Sequence, residues 1–120
     1  MNSEELKNRF KLFAINIALL IRDLPKNIIN IPYPNQLIRA SSSPGTNYRA
    51  ACRAKSGADF INKLKIVEEE LDESGYFLEL LLYFNPGFES RINELIKEGN
   101  ELLAIIVASL KTSRENQNRK

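Results

Sequence analysis

The chain has 120 residues, 43% of them apolar and 27% charged, and a net charge of +2. This is one domain's length, too apolar for a disordered chain and long enough to bury roughly two-thirds of its unfolded surface. Histidine is absent and Cys52 is the single cysteine, which excludes an internal disulfide, a histidine general base and the usual catalytic triads.

With no cysteine pair and no visible export signal, the expected compartment is the reducing cytoplasm. The longest apolar stretch, residues 12–21, is interrupted by Asn16 and falls short of the roughly 20 residues a bilayer span needs. No membrane partner is expected. The charge is uneven: residues 1–65 hold eleven Lys/Arg against four Asp/Glu, and residues 66–120 hold six against eleven. Neighbouring helices of complementary charge account for this, with a basic face for nucleic acid as the functional counterpart. A pI of 8.7 favours the first explanation.

Leu6, Phe10, Phe13, Ile17, Leu20 and Leu24 alternate at spacings of four and three, the repeat of a helix with one buried stripe. Ser3 is the expected N-cap, Glu4 and Glu5 complement the helix dipole, and Pro25 closes the helix. Between Pro25 and Pro34 a connecting loop is expected, with Ile28, Ile29 and Ile31 covering one end of the core. Residues 34–54 are rich in Ala and Ser and predict a second helix that neighbours approach closely, kinked or broken near Pro44.

Ser56 followed by Asp59 resembles a capping box and starts a third helix. Its stripe of Phe60, Leu64, Val67, Leu71, Ser74, Leu78 and Leu81 is the strongest periodic signal in the chain. Asn85, Pro86 and Gly87 mark a turn, with Asn85 a candidate N-cap and Pro86 a first helical residue. The fourth helix is expected to bury Ile92, Leu95, Ile96, Gly99, Leu102, Leu103, Ile106 and Leu110, while Ile105 and Val107 make it apolar on more than one side, which points to a subunit contact. Residues 112–120 lack apolar side chains and are expected to form a flexible tail beyond a bundle of residues 1–111. The fold class is therefore all-α, an up-down-up-down four-helix bundle.

Little of this sequence points to chemistry. No Gly-Lys-Ser/Thr phosphate loop and no Gly-x-Gly-x-x-Gly cradle exists, and no cofactor is implied. Acidic residues recur at helical spacing, Glu69, Glu70 and Glu73 on the third helix and Glu98 and Glu101 on the fourth. This looks like the carboxylate pattern of all-α nucleoside triphosphate pyrophosphatases, with Glu where that family ends its second element in Asp, and it implies magnesium ligands. A solvated acidic face, or pairing with arginines of the second helix, is the simpler explanation. Arg39, Arg49 and Arg53 are those arginines. Displayed outward with Lys55, Lys63 and Lys65 they would instead form a phosphate-contacting stripe. Cys52, among alanines, is read as a small buried residue.

The stretch from Arg39 to Tyr76, through Ser43, Asn47, Arg49, Arg53, Ser56, Phe60, Glu69 and Glu73, resembles a family of small bacterial four-helix-bundle proteins. These were first noticed as products of intervening sequences in large-subunit ribosomal RNA genes. The resemblance implies an up-down bundle that assembles into a ring-like homopentamer and has no established enzymatic activity. A similar bundle serves diversity-generating retroelements as a basic accessory protein that engages reverse transcriptase and nucleic acid. The expected function is that of a non-enzymatic, self-assembling bundle that binds RNA, DNA or a protein.

Overall fold

The structure, a computed structural model, describes residues 1–119. Four helices follow in order: α1 (Ser3–Asp23), α2 (Pro32–Cys52), α3 (Gly57–Phe84) and α4 (Glu89–Asn118), with a single 3-10 turn, Pro86–Phe88, leading into α4. Among the described residues there is no strand. α1 packs on α2 and α4, and α3 packs on the same two helices, so α1 and α3 occupy diagonal corners of an antiparallel bundle measuring 53 × 21 × 20 Å.

The heptad-like spacing places the core. Phe10, Phe13, Ile17 and Leu20 of α1 meet Leu37 of α2, Leu64, Leu78 and Leu81 of α3, and Ile92, Leu102 and Ile106 of α4, all almost fully buried. Ser74 lies in the same stripe without penalty because its hydroxyl donates to the Glu70 carbonyl at 2.8 Å. Glycines set how closely α1 approaches its neighbours: a Cβ at Gly45 would lie 3.4 Å from Phe10 Cβ, and one at Gly99 would lie 3.3 Å from the Phe13 ring.

Several local features differ from the sequence expectation. Asn2, not Ser3, caps α1, its Oδ1 accepting from the Glu5 N–H at 2.8 Å. Ser56 caps α3 in the expected way, accepting from the Asp59 N–H at 3.1 Å. Pro44 does not break α2, which runs unbroken from Pro32 to Cys52. Side chains tie the turns on either side of it: Ser42 donates to the Ile38 carbonyl at 2.7 Å and Asn47 to the Ser43 carbonyl at 3.1 Å.

The α1–α2 loop does not close the core with isoleucine. Ile28 is 84% exposed and Ile31 54% exposed, and Ile29 is only half-buried. The loop's hydrogen bonding decides this. Asn27 Oδ1 accepts from the N–H groups of Ile29 and Asn30, a tight turn that aims Asn30 inward. There Asn30 and Asn85 exchange amide hydrogen bonds at 2.7 and 3.0 Å, while Asn30 also donates to the Pro25 carbonyl and Asn85 to the Leu81 carbonyl. Asn85 is thus a buried latch between two turns, and its side chain does not cap the 3-10 turn that follows. At the other end α4 continues past Lys111 to Asn118, because Arg, Glu and Gln extend an already nucleated helix at little cost.

Candidate binding surfaces

Polar chemistry on this bundle begins with two arginine clamps. From α2, Arg39 donates Nη1 to Glu70 at 2.8 Å and Nη2 to Glu73 at 2.6 Å. From α1, Arg9 donates Nε to Glu98 at 2.9 Å and Nη2 to Glu101 at 3.2 Å. Both clamps follow one rule: carboxylates three residues apart share a helical face and grip a guanidinium from the next helix. The hydrogen bond it donates to Glu73 is the largest influence holding Arg39 above its ordinary pKa, and the one donated to Glu98 does the same for Arg9.

The clamps separate the five carboxylates of the magnesium reading. Glu70 and Glu73 face α2, Glu98 and Glu101 face α1, and Glu69 is exposed to solvent. Among the described residues, no three or more Cys, Asp or Glu side chains are grouped so as to hold a metal ion.

The remaining basic candidates sit apart from Arg39. Arg49, Arg53, Lys55 and Lys65 are exposed and Lys63 is half-buried, around the α2–α3 turn. Arg53 donates to the Arg49 carbonyl at 3.1 Å. Among the described residues none of these five makes an ion pair. Antiparallel topology brings the start of α1, with Lys11, and the end of α4, with Lys111 and Arg114, to this same end. The opposite end carries Asp23, Glu79, Glu89 and Glu94 beside exposed Ile28, Ile31 and Tyr83.

The other motif positions have local roles. Ser43 Oγ accepts from Asn47 at 3.0 Å, Ser56 caps α3, and Phe60 packs half-buried on the core. Tyr76 is 57% exposed. Cys52 is also exposed, contrary to its reading as a buried residue, and is the last residue of α2. The neighbouring Tyr48 phenol is pushed up to about 12, first by burial and then by its contact with Cys52.

One surface escaped the sequence reading. Of the two residues expected to widen the apolar surface of α4, Ile105 is packed on the core and Val107 is exposed. The larger exposed stripe is on α1: Leu12, Ile15 and Leu19 at 47%, 42% and 38% exposure. Its signal was present as a second set of three- and four-residue spacings beside the buried stripe. A groove flanks it on each side, one shared with α2 and lined by Lys7, Lys11, Thr46 and Arg49, the other shared with α4 and lined by Asn16, Arg91 and Glu98.

Fold and surface together define an antiparallel four-helix bundle whose arginine clamps tie neighbouring helices together and whose α2–α3 turn presents a group of unpaired cations. The chain belongs to the 23S rRNA-intervening sequence protein family, whose model matches residues 4–108. A solved structure of a protein of unknown function from the S23 ribosomal protein family of Bacteroides thetaiotaomicron VPI-5482 is similar at 30% identity and a TM-score of 0.83. The match covers 92% of this chain and 99% of that one. Among curated proteins nothing matches. No helix among the described residues is long and apolar enough to cross a membrane.

Proposed function

We propose that this chain is a non-enzymatic, cytoplasmic, self-associating bundle that binds nucleic acid as an accessory protein. The observation that carries the reading is the set of unpaired cations around the α2–α3 turn, Arg49, Arg53, Lys55, Lys63 and Lys65, joined at one end by Lys11 and Lys111. Cations without internal partners bind phosphates by releasing counterions, so affinity falls steeply with salt. The exposed α1 stripe supports self-association, since contiguous exposed apolar side chains mark an interaction surface. The ring-like pentamer that the family resemblance implies is part of this proposal.

The test is retention of a single-stranded RNA and of a duplex DNA at low salt, with light scattering for the assembled mass. Binding that weakens with salt and is lost in Arg49→Glu/Arg53→Glu/Lys55→Glu supports the reading. A chain that stays at 13.7 kDa and retains neither nucleic acid ends it. Magnesium-dependent hydrolysis has no comparable support, because Glu70 and Glu73 are gripped by an arginine of α2 and Glu98 and Glu101 by one of α1.

A further inference from the structure

The last turns of α4 are helical without an apolar reason to be. Between Thr112 and Asn118 there is no apolar side chain, and the inward stripe of α4 passes from buried Leu110 to the half-buried, polar Ser113 and Gln117. Gln117 meets Gly57, the first residue of α3. A Cβ at Gly57 would overlap the Gln117 side-chain amide and lie 3.0 Å from its Cδ, so the glycine makes the seat.

This seat sets the end of α4 beside the α2–α3 turn, where Lys55 lies just ahead of Gly57. Ile96, Asn100 and Leu103 line the α4 side of the groove shared with α3. Val107, Lys111 and Arg114 continue that row at spacings of three and four, so both cations stand on the side of α4 turned toward α3. On α3 the facing row runs from Gly57 through Ile61 and Lys65 toward Asp72 and Gly75 of the same groove. Lys65, Lys111 and Arg114 are exposed, and none makes an ion pair among the described residues.

The acids of this end lie elsewhere. Asp59 accepts from the Lys55 backbone N–H at 3.4 Å, and Glu68 and Glu69 lie beyond Lys65 toward the middle of the bundle. Glu115 is on the side of α4 away from Gln117, and Glu4 and Glu5 belong to α1, the helix diagonal to α3.

We propose that the last turns of α4 form a second arm of the nucleic-acid surface. Lys111 and Arg114 take backbone phosphates of the same strand as Lys55 and Lys65, and Gln117, seated on Gly57, holds the arm in position. This rests on the nucleic-acid reading above and names the residues beyond the turn that take part in it. A polar seat holds the arm without hydrophobic burial, so losing it removes phosphate contacts while leaving the core intact.

The test measures binding of one single-stranded RNA oligonucleotide by the full-length chain across a salt series, with amide hydrogen exchange in the presence and absence of RNA. Arg114→Ala is expected to bind several-fold more weakly, with a slope of log affinity against log salt shallower by about 1. Gln117→Ala keeps every charge and is expected to weaken binding too, with faster exchange over residues 112–118. Both are expected to melt like the wild type. RNA is expected to slow exchange over the same residues of the wild type. Wild-type affinity and slope in Arg114→Ala, or no RNA-dependent protection of residues 112–118, overturns the arm; the nucleic-acid reading survives that result if Arg49→Glu/Arg53→Glu/Lys55→Glu has lost binding. Wild-type binding by Gln117→Ala overturns the positioning role of the seat. A wild type that retains no RNA at low salt overturns both the arm and the reading beneath it.

Discussion

The two ends of this bundle are built on opposite principles. At the end where α1 runs into α2 and α3 into α4, two loops are latched by the buried amide pair of Asn30 and Asn85. At the other end, cations of the α2–α3 turn, α1 and α4 face solvent without internal partners. The difference shows how a small bundle divides its labour. A closed end with satisfied buried polar groups fixes the topology, and an open end with unpaired charge stays available for a partner.

The sharpest way to break this contrast is at the latch. Asn85→Ala leaves both the Asn30 amide and the Leu81 carbonyl short of a partner in a buried site, which is expected to cost about 2–3 kcal/mol in urea unfolding. Replacing Arg53 with Ala at the open end is expected to change stability by less than ~0.5 kcal/mol. Equal losses at both sites would erase the distinction.

Midway between the ends, Arg39→Ala removes a clamp whose arginine is half in solvent. A small loss of stability that shrinks as salt is raised is expected in urea unfolding, as for other exposed ion-pair networks. An effect unchanged by salt would mean that Arg39 acts through packing of its alkyl chain instead.

The ends should also differ in pH response. Asp23, at the closed end, is held below the ordinary carboxylate pKa by hydrogen bonds from Arg22 and then Arg91. A lowered folded pKa stabilises the protein above the unfolded value and is lost as pH falls through the folded one, so Asp23→Asn flattens the acid limb below about pH 4. Tyr48, towards the open end, is raised to about 12. That contribution is complete below the unfolded tyrosine value and disappears as pH climbs through the folded one. Tyr48→Phe is therefore expected to flatten the alkaline limb between about pH 10 and 12. Unfolding curves of the two variants across pH measure both.

The smallest effect belongs to the last turns of α4. Residues 112–118 are helical but contribute no buried apolar side chain. A chain ending at Lys111 is expected to lose less than ~0.5 kcal/mol, and hydrogen exchange there should be the fastest within α4.

Much of the architecture was readable because burial leaves a repeat in the sequence. The stripe from Leu6 to Leu24 and that from Leu64 to Leu81 are buried as their spacing implies. The misread positions are those where hydrogen-bond geometry outweighs hydrophobicity. Ile28 and Ile31 are pushed into solvent because Asn27 organises the turn and Asn30 takes the inward position. The clamps were half legible: the Glu70 and Glu73 spacing marks a face, but only the packing of α2 on α3 shows that Arg39 fills it. Likewise, Leu12, Ile15 and Leu19 repeat as regularly as core residues, and only the fold reveals that their side of α1 has no neighbour.

The most direct measurement is the affinity of the wild type and of Arg49→Glu/Arg53→Glu/Lys55→Glu for one RNA oligonucleotide, titrated between about 50 and 200 mM salt. Phosphate binding by these cations requires wild-type affinity that falls log-linearly with salt, and a variant that folds and melts like the wild type but binds far more weakly with a shallower slope. Equal affinity and equal salt dependence for the two proteins would contradict it.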